Sequence, residues 1–513
     1  DLKNNHPSSM DFLLSRYLKD GYSSNPEVYA QISFNYLGQF DTDIAGKSFT
    51  LSNEDRGEEI STNISKYSDW DITGSVVDGA LKMNLLYSRK QFRKSSIDAF
   101  MDDFKDSLQS IISYCLNIAK REFTPSDMSF KGLSIAQLNS IQEEYDLEDI
   151  YRLSPMQEAM LFHSLFNIDS DHYFSQITYR FTGNLDINAV EKSMNDLTAR
   201  YDVLRTVFLH QGYDEPIQLV LKERKIDFVY EDIRERCKGE DKGHIIGLYQ
   251  RQDRASKFNL SKDVLMRLSV LQTADDEYEF IWSHHHILMD GWSMAIIIKD
   301  YLDLYENNEK HIELLLPPTK PYGRYIEWLD TVNNTETIEY WTQYLTNYDH
   351  ISTLPKATIS KSDSSSYRLK IHELVLDEDD TRRLQEGSSG SGITLNTLFQ
   401  MSWGILLSKY SNKSDVIFGS VVSGRPVELE GIEQMVGLFI NTIPVRIRYE
   451  EDSDITQLLQ ESQKKALEAE PYSCYPLRSI QSLTKLGKDL FDQIIVFENY
   501  PMSAYLERDN DYT

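Results

Sequence analysis

Cysteine is scarce. The three present, Cys115, Cys237 and Cys474, are odd in number and widely spaced, which fits neither a disulfide framework nor a zinc site. A reducing compartment follows, and the cytoplasm is the expected location. No run approaches the ~18 apolar residues of a membrane span, and the opening DLKNNHPSS is no signal peptide. Positive charge is also in short supply: 53 Lys plus Arg stand against 81 Asp plus Glu, a net charge of −28. A field of that sign repels phosphate backbones and anionic lipid, so neither nucleic acid nor membrane is expected as a partner. The first residue is Asp1 rather than Met, and the chain reads as a piece of a longer polypeptide.

What is present is globular in composition, with 40% hydrophobic and 12% aromatic residues, and 513 residues exceed what one core accommodates. Residues 28–40, VYAQISFNYLGQF, predict a strand ending on Gly38. A hairpin turning at Asp78-Gly79 follows within 71–88, then a helix over 95–120 behind a serine cap. Residues 121–150, with Pro125 and Gly132, loosen into an expected linker. From Tyr151 onward helical and strand patterns alternate, giving mixed α/β in two lobes, 151–310 and 311–513. Strands are expected at 172–182, 277–284, 368–376, 416–422, 440–449 and 492–498 among others, and mobile loops at KSDSSSY (361–367) and EGSSGSG (386–392).

The most informative stretch is IWSHHHILMDGWS (281–293), which crowds three of the eleven histidines before an aspartate and a glycine. It predicts a strand, a turn and a helix capped by Ser293, with His284 and His286 on one strand face and His285 on the other. Imidazole takes up a proton near neutral pH, so a histidine held at such a corner suits general-base chemistry on an amine or hydroxyl. Asp290 would orient the ring or tie the turn to a basic residue, and Gly291 would let the backbone bend tightly. Spacing alone leaves a purely structural role equally open. A metal site on His284, His286 and Asp290 lacks further ligands nearby, and no G-x-S-x-G elbow supports a hydrolase.

HHILMDG (285–291) resembles the HHxxxDG signature of condensation domains of nonribosomal peptide synthetases. YRLSPMQEAMLFHSL (151–165), RYDVLRTVF (200–208), PYGRYIEWL (321–329), VGLFINTIPVR (436–446), YPLRSIQ (475–481) and FDQIIVFENYP (491–501) resemble that family's other motifs, in the family's order. The resemblance implies an α/β fold of two chloramphenicol-acetyltransferase-like lobes in a V-shaped pseudo-dimer with a central tunnel. It implies an amide-forming acyltransferase that binds no cofactor itself and takes its substrates as phosphopantetheine thioesters. Its partners would be donor and acceptor peptidyl carrier domains and an adjacent adenylation domain. By motif position, His286 is the catalytic candidate, His285, Asp290 and Gly291 support the corner, and Arg425 of SGRP (423–426) is the expected cross-lobe partner of Asp290.

SPMQEAMLFHSL resembles domains that accept a donor ending in a D-residue, and ISFNYLGQF (32–40) resembles the last motif of an epimerization domain. Residues 1–120 therefore resemble that domain's C-terminal tail, which would be catalytically silent. The second lobe stops short of a final hairpin and helix, elements of the type found at 71–120, so the N-terminal piece is a candidate to complete it. Epimerization by the same fold and a non-catalytic carrier-docking scaffold are the competing functions. Heterocyclization is disfavoured, because that class carries aspartate where this chain has its two histidines.

Overall fold

The structure, a computed structural model, describes residues 31–39, 68–77, 79–117, 122–166, 171–312, 316–355, 370–450 and 452–498, which fall into two compact units divided between Glu122 and Phe123. The loop 361–367, the start of the first strand and Asp78 of the hairpin turn lie outside the described residues.

The first unit is one sheet and one helix. β1 (Ile32–Gln39) runs parallel to β2 (Trp70–Val77), which pairs antiparallel with β3 (Ala80–Tyr87). Gly38, expected at the strand's end, instead lies within β1, where a positive φ of 85° accompanies a break in register between Tyr36 and Gln39. α1 (Lys94–Asn117) follows, with Ile97 as its buried residue.

The second unit begins earlier than the sequence pattern suggests. Within the stretch expected to be a linker, Ser134 caps α2 (Ile135–Glu144) and β4 (Leu147–Arg152) pairs with a strand of the next sheet. Met128, Leu138, Ile141, Leu147 and Ile150 are buried in one cluster with Val207, Ile217 and Leu219. Loop-forming residues at 121–134 hid a segment whose apolar side chains belong to a core.

α3 (Pro155–Phe166) leads into β5 (Phe174–Thr182), and α4 (Ile187–Arg200), capped by Asp186, leads into β6 (Thr206–Leu209) and β7 (Ile217–Leu221). The β4-β7-β6 sheet stands beside a second sheet ordered β5-β10-β9-β8, formed by β8 (Asp227–Asp232), β9 (Met266–Ala274) and β10 (Glu277–His285) with α5 (Lys242–Ser256) between them in the chain. β10 is central, paired antiparallel on both sides, and eight of its nine residues are buried. A strand covered on both faces reads as a nearly continuous apolar run, as YEFIW does.

α6 (Gly291–Glu309), α7 (Gly323–Thr331) and α8 (Asn334–Tyr344) connect to the remaining lobe, where α9 (Glu378–Gly390), α10 (Leu395–Ser411) and α11 (Ile455–Ala469) accompany a sheet ordered β12-β11-β13. Its strands are β11 (Asp415–Val422), β12 (Asn441–Arg448) and the two-residue β13 (Ile494–Ile495), which is parallel to β11. Two expectations fail here. No strand forms over 370–376, where Ile371, Leu374 and Val375 lie exposed, and EGSSGSG is mostly the last turns of α9 rather than a loop. Asp377 caps that helix and Glu378, Asp379 and Asp380 fill its first turn, a charge arrangement that favours helix despite the poor propensity of Gly and Ser.

Candidate active site

β10 ends on His285, and the turn that follows is held from several sides. His285 N–H donates to Leu265 O at 2.9 Å, His286 N–H to Tyr173 O at 2.8 Å, and Leu288 N–H to His285 O at 3.1 Å. The buried Gln157 of α3 donates through Nε2 to Ile287 O at 3.2 Å, and its Oε1 accepts from Ser154 N–H at 2.9 Å. The glutamine of SPMQEAM thus fastens α3 to the histidine turn.

Asp290, not Ser293, caps α6: its Oδ1 accepts from Ser293 N–H at 2.8 Å. Gly291 is the first helical residue and is not among the glycines with positive φ, so the tight bend expected of it is not made there. The turn closes through backbone bonds and the aspartate cap instead.

Asp290 settles its alternatives by contact. Oδ1 meets Arg425 Nη2 at 3.3 Å, Oδ2 accepts from Phe439 N–H at 3.1 Å, and no histidine is among its partners. Arg425 also donates from Nη1 to Ile432 O at 2.6 Å and Met435 O at 3.0 Å, and from Nη2 to Ser293 Oγ at 2.9 Å. Its guanidinium lies 4.0 Å from the centroid of Phe439. Both side chains are buried, and burial pulls the guanidinium pKa below its usual value, an effect that Asp290 opposes. The pair is held by the bonds to Ser293, Ile432, Met435 and Phe439 as well as by Coulomb attraction, while Arg425 Nε is buried without a partner among the described residues.

The segment Gly437–Phe439 is clamped by both lobes. Ser293 Oγ donates to Gly437 O at 2.9 Å and accepts from Gly437 N–H at 3.1 Å, while Asp290 N–H donates to Gly437 O at 3.2 Å. Tyr322 OH donates to Leu438 O at 2.7 Å, and any side chain at Gly437 would collide with the Tyr322 ring. Tyr322 N–H in turn donates to Asp202 Oδ2 at 2.9 Å. Burial lifts the Asp202 carboxyl to about 6, against the lowering effect of the bonds from Tyr322 and Val203. Gly437, Tyr322 and Asp202 received no role from the sequence, although all three lie in stretches whose motif character was legible, and Ser293, expected as the helix cap, holds Gly437 instead.

The three histidines differ. His284 is enclosed, its Nδ1 has no partner, and burial followed by the neighbouring rings lowers its pKa to about 3. His285 is also buried, with its pKa lowered to about 4 by burial and then by His286. His286 is partly exposed, and its Nδ1 is buried without a partner. Among the described residues no group of three His, Cys, Asp or Glu side chains is placed to hold a metal ion.

The model of the family described as "Condensation domain" matches residues 13–133 and again 147–512. The chain belongs to the condensation-domain family. Its condensation match divides almost where the two compact units do. Among relatives, bacitracin synthase 3 of Bacillus licheniformis is 37% identical over 95% of this chain and 8% of its own length. Gramicidin S synthase 2 of Brevibacillus brevis is 39% identical over 73% of this chain and likewise 8% of its own length. The chain therefore spans only a small part of the curated relatives it matches. The solved first condensation domain of the calcium-dependent antibiotic synthetase, with a substrate analogue bound, matches 69% of this chain and 82% of its own at a TM-score of 0.55 and 14% identity. That likeness establishes the condensation-domain fold of two chloramphenicol-acetyltransferase-like lobes for the larger unit.

Proposed function

We propose that residues 123–513 form peptide bonds in nonribosomal peptide synthesis, moving a donor peptidyl group from its carrier thioester to the α-amine of a carrier-bound acceptor residue. The observation carrying this reading is the division of labour at the turn. Arg425, Ser293 and Phe439 occupy Asp290, while the partly exposed His286 ring takes no side-chain hydrogen bond among the described residues. In the proposed reaction the acceptor nitrogen attacks the thioester carbonyl, the C–S bond breaks, and His286 receives the ammonium proton or hydrogen-bonds the tetrahedral intermediate. Donor and acceptor carrier domains and a neighbouring adenylation domain are the proposed partners, with the two lobes at about 123–310 and 311–513.

The first unit is proposed to be the C-terminal tail of an epimerization domain. Its separate family match supports this, as does the parallel pairing of β1 with β2, which resembles that of β13 with β11. Together with SPMQEAMLFHSL it supports a donor ending in a D-residue. The test is mass spectrometry of acceptor carriers after reaction with donors ending in D- or L-residues. Product from the D-donor, lost in a folded His286→Ala variant, is the expected result. Full activity in that variant would remove His286 from the reaction, and preference for L would overturn the donor assignment.

A further inference from the structure

A cleft of about 470 Å³ opens beside His285, with Phe208, Leu260 and His285 in its lining and the rings of Tyr173 and Phe258 along its walls. That size falls within the ~300–1,000 Å³ typical of small-molecule sites, and beside its apolar wall the cleft also carries polar side chains, His163, Asp171, His210 and Asn259 among them. His285 Nδ1 accepts from Ile287 N–H at 3.1 Å. In the neutral ring the proton must therefore sit on Nε2, which becomes a donor. Burial keeps the ring neutral. The partner the structure gives Nε2 is Ser164 Oγ, at 3.5 Å, the limit of a hydrogen bond. Ser164 itself lines the cleft.

The aromatic walls are held in place before any ligand arrives. Phe258 stacks on Phe174 with centroids 5.4 Å apart, and Arg267 lies 4.2 Å from the Phe258 centroid. Tyr173 and Phe258 stand 6.1 and 6.5 Å from the His285 ring. At these separations the protein's own rings already touch one another and form a preassembled aromatic wall. The cleft borders the turn that carries His286 through the backbone, since Tyr173 O accepts from His286 N–H and β10 ends at His285, while the His286 side chain is not part of its lining.

We propose that this cleft binds a phenol-bearing side chain of a carrier-bound substrate, with the ring against Tyr173 and Phe258 and the phenol oxygen accepting from His285 Nε2–H. His285 is then a specificity-determining residue as well as a support for the turn. The assignment to a substrate rests on the peptide-transfer reading above; the binding itself does not.

The test uses the full chain and three free probes, N-acetyl-tyrosinamide, N-acetyl-phenylalaninamide and N-acetyl-leucinamide, with affinity measured by calorimetry. Tyrosinamide should bind most tightly and leucinamide least. His285→Asn keeps an oxygen to accept from Ile287 N–H and, being shorter, takes the donor away from the position of Nε2, and should lower tyrosinamide affinity about tenfold, to the level of phenylalaninamide. Phe258→Leu should weaken both aromatic probes in a chain that still unfolds cooperatively, with some loss of thermal stability from its contacts with Phe174 and Arg267. Equal affinity for all three probes, or parental affinity in both folded variants, overturns the proposal. In the transfer assay tyrosinamide should raise KM for either the donor or the acceptor, whichever carries the phenol; inhibition of neither removes the substrate assignment. Failure of the peptide-transfer reading is distinguishable, since it leaves no product from any substrate pair while probe binding persists.

Discussion

At the scale of single residues, the Asp290–Arg425 pair holds the two lobes together around a point where charge would otherwise be stranded. Removing Arg425 leaves a buried carboxylate with two backbone donors and no counter-charge, a loss of about 3–5 kcal/mol for enclosed pairs. Arg425→Ala is therefore expected to lower urea stability by that order, and Asp290→Asn, which retains an oxygen for Ser293 N–H, by about 1–3 kcal/mol. Equal losses would mean that charge is irrelevant at this contact. Titration gives a second expectation. His284 and His285 are held to about 3 and about 4 in the folded chain, against ~6.5 when unfolded. Between pH 6.5 and 4 the unfolded chain therefore binds more protons at these rings, and stability falls on acidification by up to about 1.4 kcal/mol per pH unit for each. Asp202 acts oppositely. Its carboxyl, raised to about 6, contributes stability that is present below ~3.9 and lost as pH rises through 6. Asp202→Asn should consequently steepen the acid loss by about one proton, read from urea midpoints at pH 7, 5.5 and 4.5. An unchanged slope would count against the buried carboxyl. Motif position pointed to Asp290 and Arg425, which the structure pairs, and to His286, whose role is the one proposed above. It could not point to Gly437 or to the contact that Ser293 makes with it, between positions 144 residues apart.

At the scale of elements, periodicity located most of the paired strands and missed two, β4 and β8. β10 and β5 fall within two residues of their expected bounds. The segment 370–376 has the β-branched and apolar composition of a strand, yet it is unpaired, because a strand is defined by a neighbour that local sequence does not contain. The β12-β11-β13 sheet ends on a strand of two residues, and Ile371, Leu374 and Val375 remain 89%, 84% and 77% exposed. Unpaired apolar segments of this kind promote association between chains. Replacing Ile371 and Val375 together by Lys should reduce self-association in light scattering and leave the unfolding temperature within about a degree or two, since neither side chain contributes to a core. Persistent aggregation in the double variant would shift attention to the apolar residues exposed on α1, Ile111 and Ile112 among them. The helical course of EGSSGSG was illegible for a related reason: propensity within the segment opposed helix, and the stabilising charges lie up to eight residues upstream.

At the scale of the molecule, the boundary matters most for anyone isolating the larger unit. A chain starting at Phe123 keeps the whole second unit, whereas one starting at Tyr151, where sequence pattern alone would cut, loses α2 and most of β4. The discarded part includes Met128, Leu133, Leu138, Ile141, Leu147 and Ile150, all buried, and it leaves β7 as an edge strand beneath an uncovered core. At roughly 1.5–3 kcal/mol per buried apolar side chain the loss is on the order of 10 kcal/mol, comparable to the whole stability of a typical domain. Residues 123–513 should therefore give a cooperative unfolding transition, while residues 151–513 should be insoluble or bind a hydrophobic dye without one. The consequence reaches the active site, because β4 leads directly to Ser154 and Gln157, and Gln157 holds the carbonyl of Ile287 next to His286. A folded 151–513 fragment with a normal melting transition would show that the helix and strand before Tyr151 are an attachment to this unit and not a part of its core.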